Sequence, residues 1–226
     1  MLVIGSIIRN REWILPRYLK GIDNLDYNKK DITLVFLVND SEDESLNILL
    51  RYKDQNESKY ARIDVIEFNT GVQEYDREVD ARNITFRNMA TLRNKLLERV
   101  ISYSPQYFFS IDSDIIPPPN ILKDLITDDK DVVAAHVWNN KECTLPNYMN
   151  KGLYQYHHIR GREPGLFECD LTGAVILIKG DVLINGVRYG YHPTGEDAVF
   201  CKEAKKLGYG VWVDSRIQCE HIMSKE

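Results

Sequence analysis

Two carboxylates, Asp112 and Asp114, stand two residues apart at the end of the apolar run Tyr107-Phe108-Phe109-Ser110-Ile111, and Pro117, Pro118 and Pro119 follow. A run so rich in aromatic and branched side chains predicts a buried strand. The prolines stop its hydrogen-bond ladder soon afterwards. Acids at the carboxyl end of a buried strand cost free energy unless a cation or hydrogen-bond donors satisfy them. The carboxyl ends of strands are also where open α/β sheets hold ligands. Hard oxygen donors suit Mn²⁺ or Mg²⁺, which often link a few carboxylates to substrate phosphates. The chemistry expected here is metal-assisted binding of a phosphorylated ligand; the plain alternative is a solvated turn.

A second acidic pair, Glu196 and Asp197, follows Gly195 at the start of a helical pattern. First-turn amides and the helix dipole stabilise acids there, so capping alone is one account of them. Asp40 closes the apolar run 32–38 and flanks the next helix. Arg93 neighbours Leu92, Leu96 and Leu97, the apolar face of a helix, and reads as an exposed charge or as an anion contact. His221 is a structural imidazole or a metal ligand, and a neutral imidazole suits Mn²⁺ better than Mg²⁺.

The elements that must position these residues follow from periodicity. Strands are expected at 2–8, 32–38, 62–68, 107–111, 132–137 and 173–179, with short ones at 211–213 and 217–221. Trp13, Ile14, Leu15, Tyr18, Leu19 and Ile22 recur at helical spacing, and Pro16 is tolerable in a first turn. Ser41-Glu42-Asp43-Glu44 reads as a capping box for a helix ending near Tyr52. Further helices are expected at 86–103, after a capping Asn120, and at 196–207, the last closed by Gly208 in the left-handed position. Residues 69–83 read as a mobile polar loop. The stretch 138–169 lacks a regular pattern but is rich in aromatic residues, which favours a functional loop. A β-α-β-α-β opening predicts a parallel nucleotide-binding half, within one α/β domain having a mixed, mostly parallel central sheet flanked by helices.

With 226 residues, 43% hydrophobic and 28% charged, the chain has the composition of a soluble globular domain. A net charge of -5 without a basic block excludes general nucleic-acid binding. Cys143, Cys169, Cys201 and Cys219 are widely spaced, as expected of buried free thiols in a reducing compartment. No apolar stretch approaches the ~20 residues of a membrane span, and no leader precedes the first strand. These features predict a cytoplasmic protein, either minimal or one domain of a longer chain.

Five local patterns, in order, carry a resemblance: Ile8-Arg9-Asn10-Arg11-Glu12, Asn39-Asp40-Ser41, Arg93-Asn94, Asp112-Ser113-Asp114, and Gly195-Glu196-Asp197 with a later His221. Together they resemble the GT-A fold of nucleotide-sugar glycosyltransferases, in the style of the large family 2 group, over almost the whole chain. The resemblance implies a nucleotide-sugar-binding half at about 1–114 and an acceptor-binding half at about 115–226. It implies that Ile7, Arg9, Asp40, Arg93, Asp112 and Ser113 contact the donor nucleotide. Relatives often carry an aromatic residue or His in the place of Arg9. The implied metal ligands are Asp112, Asp114 and His221, with Mn²⁺ (or Mg²⁺) bridging to the diphosphate. Asp197 becomes the general base and Glu196 a holder of the acceptor, to which Trp138, Thr172 and Gly173 also belong.

The implied activity moves a sugar from a nucleoside-diphosphate sugar, a UDP-sugar slightly before a GDP-sugar, to an acceptor hydroxyl on a saccharide or other molecule, with inversion. Two other readings compete. A sugar-phosphate nucleotidyltransferase normally shows a glycine-rich loop after the first strand, whereas Gly5-Ser6-Ile7-Ile8-Arg9 supplies one glycine. A non-catalytic carbohydrate-binding or scaffold domain would have no need of both acidic pairs.

Overall fold

The computed structural model describes residues 1–72 and 79–225. Its main sheet has eight strands in the order β3-β2-β1-β4-β11-β6-β12-β9: β1 (Leu2–Ile8), β2 (Ile32–Val38), β3 (Arg62–Glu67), β4 (Tyr107–Ile111), β6 (Val132–His136), β9 (Leu166–Glu168), β11 (Val175–Lys179) and β12 (Val211–Gln218). The first four pair in parallel. Antiparallel β11 joins β4 to β6, and β12 then runs parallel to β6. The carboxyl ends of β1, β2, β4, β6 and β12 therefore lie along one edge, where the chemistry-bearing residues cluster.

Side-chain alternation builds a core on each face. Leu34 and Phe36 of β2 join Leu15, Tyr18 and Ile22 of α1 (Leu15–Asp23) and Leu49 of α2 (Ser45–Asn56). Val35 and Leu37 face the other way, toward Leu92, Leu96, Leu97 and Val100 of α3 (Val79–Ile101). Phe200, Cys201 and Ala204 of α6 (Glu196–Lys206) complete that second core. All seven residues of β2 are buried, as its unbroken apolar sequence requires of a strand covered on both faces. The observed architecture is thus the mixed, mostly parallel sheet flanked by helices that periodicity predicts.

Local expectations needed correction. α3 begins at Val79, not near 86, so the expected loop is shorter, and residues 73–78 of it lie outside the described ones. The capping box does not form. Glu44 is the N-cap residue without a side-chain bond, Asp43 Oδ1 accepts from Ser45 N at 3.0 Å, and Ser41 Oγ accepts instead from Asn10 N at 3.1 Å. That helix runs on to Asn56. Asn120 turns its amide to Asp124 rather than to a backbone N–H. The stretch 138–169 contains β7 (Tyr148–Lys151) and β8 (Tyr156–His158), which with β10 (Leu171–Thr172) form a small antiparallel sheet. The expected closing strands at 211–213 and 217–221 are divided differently: β12 runs through Val211–Gln218 with a register shift between Asp214 and Gln218, and Glu220–His221 forms a separate two-residue strand. Gly208 does adopt the left-handed conformation, at φ 87°, and closes α6. All four thiols are free, but Cys143 is exposed. No helix among the described residues is long and apolar enough to cross a membrane.

Candidate active site

Strand ends and the first half of α3 enclose a cavity of about 190 Å³. Ile7 and Arg9 line it from the end of β1, Asp112, Ser113 and Asp114 from the end of β4, and Asn88, Met89 and Leu92 from α3. Sequence reasoning missed the α3 contribution, and also Arg11 and Asn39. Arg11 lies inside the first-strand motif, where a second cation close to an expected anion site was the available signal. Its Nη2 donates to Asp114 Oδ2 at 3.1 Å.

Asp40 lies beside this cavity rather than in its wall. Its carboxylate accepts from Thr70 N at 3.0 Å, Thr70 Oγ1 at 2.9 Å, Gly71 N at 3.1 Å and Asn39 Nδ2 at 2.6 Å. Desolvation pushes its pKa up, but these four bonds outweigh it and hold the carboxyl below the usual carboxylate range. Asp40 thereby fastens residues 70–71 to the end of β2.

Backbone ladders set the metal-ligand candidates. Asp112 N donates to Ala174 O at 2.9 Å, anchoring the end of β4 to the turn before β11. Just beyond it, β5 (Ile115–Ile116) pairs with β13 (Glu220–His221), with His221 opposite Ile115. Ile222 N donates to Asp114 O at 2.9 Å. These two-residue strands bring His221 to Asp114 across more than a hundred positions of chain.

The imidazole is oriented. His221 Nδ1 is 2.9 Å from the Trp138 carbonyl, which can only accept, so Nδ1 carries a proton. Nε2 then faces Asp114 Oδ1 at 3.7 Å, beyond hydrogen-bond distance. A ring held by one N–H on a carbonyl, with its other nitrogen turned to a carboxylate, has the form of a metal-binding histidine. Asp112 instead gives Oδ1 to Arg93, accepting from Nη2 at 3.1 Å. Among the described residues no three His, Cys, Asp or Glu side chains gather closely enough to hold a metal ion as they stand. Asp114 and His221 alone form a two-donor pair, of a chemistry that suits Mn²⁺ better than Mg²⁺.

Arg93 is not an exposed helix charge. It is 7% exposed and joins both acidic pairs. Nη2 donates to Asp112 Oδ1 at 3.1 Å, Nε donates to Glu196 Oε1 at 2.8 Å, and Nε lies 3.9 Å from Asp197 Oδ1. Burial opposes its charge, but the three surrounding carboxylates hold its pKa well above the ordinary value. It is absent from the wall of the cavity at Ile7 and Arg9.

Asp197 packs its carboxylate against Gly173, where a Cβ would collide with Oδ2. The bare glycine therefore admits the catalytic candidate itself. Oδ1 of Asp197 and the hydroxyls of neighbouring Thr172 and Tyr189 are buried without a hydrogen-bond partner. Burial pushes Asp197 up to about 8; the Glu196 carboxylate adds to the rise, and Arg93 opposes it. Trp138 lies apart from this acid pair, half-buried beside His221. The structure thus brings Ile7, Arg9, Asp112, Ser113, Asp114 and His221 into one region and joins them through Arg93 to Glu196, Asp197, Thr172 and Gly173. An anionic ligand can lie at the strand ends while a hydroxyl approaches Asp197.

Residues 1–159 match the Anp1 family model. The chain is 28% identical over 197 residues to the mannan polymerase II complex anp1 subunit of Schizosaccharomyces pombe, covering 81% of this chain and 44% of that protein. It therefore spans less than half the length of this curated relative. Among solved structures, the mannosyltransferase PcManGT from Pyrobaculum calidifontis, in complex with GDP-Man and Mn²⁺, superposes with a TM-score of 0.64 at 12% identity, over 100% of this chain and 57% of that one. S. aureus TarS 1–349 in complex with UDP-GlcNAc superposes with a TM-score of 0.62 at 18% identity, over 100% and 59% respectively. These likenesses show the GT-A glycosyltransferase fold.

Proposed function

This chain belongs to the Anp1 family, and from that premise we propose that it is a metal-dependent glycosyltransferase, moving a sugar from a nucleoside-diphosphate sugar to an acceptor hydroxyl. The observation that carries this reading is the paired geometry of Asp114 and His221. The imidazole is fixed by Trp138 and turns a second electron-pair donor to the carboxylate at 3.7 Å. That the PcManGT complex holds GDP-Man and Mn²⁺ on the same fold supports it.

Asp114 and His221 would hold the divalent ion, which when bound neutralises charge on the departing diphosphate. Arg9 and Arg11 add positive charge along the same wall. Ile7 and Asn39 frame the nucleoside, with residues 70–71 fastened alongside by Asp40. Asp197 takes the proton of the acceptor hydroxyl, and Glu196, fixed by Arg93, keeps the acceptor side ordered. A single displacement with Asp197 as base inverts the anomeric centre. The chain divides accordingly into a donor half at about 1–114 and an acceptor half at about 115–226.

Thermal melting with a panel of nucleoside diphosphates and their sugars, with and without Mn²⁺, tests the donor site. A ligand at 100 times its Kd stabilises by about 2.7 kcal/mol. One nucleotide, GDP or UDP, should raise Tm only with Mn²⁺, and Asp114→Ala should abolish that rise while the protein stays folded. An unchanged shift in this variant removes the metal assignment. No shift with any nucleotide favours a non-catalytic scaffold. The anomeric configuration of the product, read by NMR, decides inversion.

A further inference from the structure

Two hollows on the far side of His221 are not used by the donor reading. One, of about 690 Å³, is lined by Trp138, Lys141, Glu220, His221 and Met223 among others, with the Glu220 carboxylate taken by Arg17 Nη2 at 2.8 and 2.6 Å. The other, of about 460 Å³, is lined by His136, Trp138, Tyr148, Arg160, Arg162 and Gln218 among others. Trp138, Cys143 and Gln218 belong to the walls of both, so the hollows adjoin along these side chains. Together they form a trough that begins at the imidazole of His221 and ends at two arginines.

Trp138 is held in place within it. Its ring meets His136 edge-on, with centroids 4.4 Å apart at 83°. Nδ1 of His136 in turn lies 3.0 Å from Tyr148 Oη. The Trp138 carbonyl takes the His221 Nδ1–H, so this one residue ties the trough to the metal-binding candidates. A half-buried indole beside an amide side chain such as Gln218 is a surface on which sugar rings stack while their hydroxyls find hydrogen bonds.

Charge distinguishes the far end. Burial lowers the pKa of His136, so the fixed charges lining the second hollow are Arg160 and Arg162. No carboxylate lines it, although exposed Glu163 follows Arg162 in the chain. Among the described residues Arg160 makes no ion pair or hydrogen bond. Arg162 lies 4.0 Å over the Phe167 ring, a contact that steadies the guanidinium and leaves its edge N–H groups for another partner. Two guanidinium forks over a sugar-stacking floor match phosphate or carboxylate oxygens.

We propose that this trough seats an acidic oligosaccharide, with one end at His221 and a phosphate or carboxylate substituent on Arg160 and Arg162. Its role as acceptor seat rests on the donor reading above; its preference for acidic glycans does not. The trough makes the acceptor an extended chain, with the arginines reading a substituent some distance from the reacting hydroxyl.

Isothermal titration at low salt, without donor or metal, tests it with three probes: a mannose pentasaccharide, the same sugar carrying one phosphate, and a galacturonic acid pentasaccharide. At least one acidic probe should bind about tenfold more tightly than the neutral one, the scale of a charge-assisted hydrogen-bonded pair. Which acidic probe gains tells phosphate from carboxylate. The double variant Arg160→Gln, Arg162→Gln should lose the preference but keep neutral-sugar binding, and Trp138→Ala should weaken all three probes. Equal affinity for the probes, binding of none, or a preference surviving in the double variant overturns the proposal. The wild-type melting panel separates the two readings. An acidic preference without any nucleotide shift leaves the glycan site standing and removes its role as acceptor seat.

Discussion

The guanidinium of Arg93 lies among Asp112, Glu196 and Asp197, so one buried cation serves three acids. One positive charge cannot neutralise all three, and the group left with the weakest contact is Asp197, 3.9 Å away. Burial and the neighbouring Glu196 therefore carry it up to about 8 against the pull of Arg93. A general base works only when deprotonated, and most of this carboxyl is protonated below about pH 8. The expected outcome is a kcat that climbs as pH rises, by about tenfold per unit well below the inflection, and levels above about 8. A rate already flat between about pH 5 and 7 shows that another group takes the proton. Gly173 provides an independent check. Gly173→Ala would drive a methyl into the Asp197 carboxylate, so kcat should fall by roughly 10²-fold, the scale of a displaced base. Nucleotide affinity should stay at the wild-type value, because the donor residues lie on the other side of Arg93.

The helix α3 is the element that couples these residues, and its coupling to the rest is specific. Asn94 Nδ2 donates to Tyr189 O at 2.9 Å and Asn94 Oδ1 accepts from Tyr189 N at 2.9 Å. This two-point clamp holds the segment that leads into Gly195, Glu196 and Asp197. Asn94→Leu strands two backbone groups and should cost about 1–3 kcal/mol in urea unfolding. It should also lower kcat more than it changes nucleotide Kd. Equal losses in both would make the clamp merely structural. Little of this was legible in the sequence. The Asp112/Asp114 strand was, because aromatic and branched residues fill a central position and an abrupt switch to acids and prolines marks its end. The start of α3 was missed because residues 79–83 show no apolar periodicity. Arg93 stood next to an apolar stripe, and nothing local reveals a partner 103 residues away. His221 was assigned by resemblance alone, since the β5 and β13 strands that deliver it have two residues each, too few for any period to register.

For the molecule as a whole, stability must depend on pH through groups far from the site, and one cluster sets a sign that can be measured. Asp128, at the end of α4 (Ile121–Thr127), lies close to the Asp214 carboxylate of β12, and its Oδ2 is buried without a hydrogen-bond partner. Arg216 grips Asp214 through two bonds of 2.8 Å, leaving Asp128 Oδ1 3.5 Å from the same guanidinium. Burial, then the Asp214 charge, push Asp128 up to about 6 while Arg216 opposes them. The folded state therefore holds a proton that the unfolded chain releases near pH 4. Over the window from about 4 to about 6 the native state binds more protons, so this group's contribution to stability falls as pH rises and is flat above. Asp128→Asn keeps an N–H toward Asp214 at every pH and removes the titration. Relative to wild type it should be nearly neutral near pH 4 and stabilising by roughly 1–2 kcal/mol near pH 7.5, after allowing for solvent screening. The difference between variant and wild type at the two pH values isolates this group from carboxyls of opposite shift, such as Asp40, which favour folding above their unfolded pKa and lose that contribution in acid. A variant less stable than wild type at neutral pH would show that ionised Asp128 gains more from Arg216 than it loses to burial and to Asp214, reversing the sign of its shift.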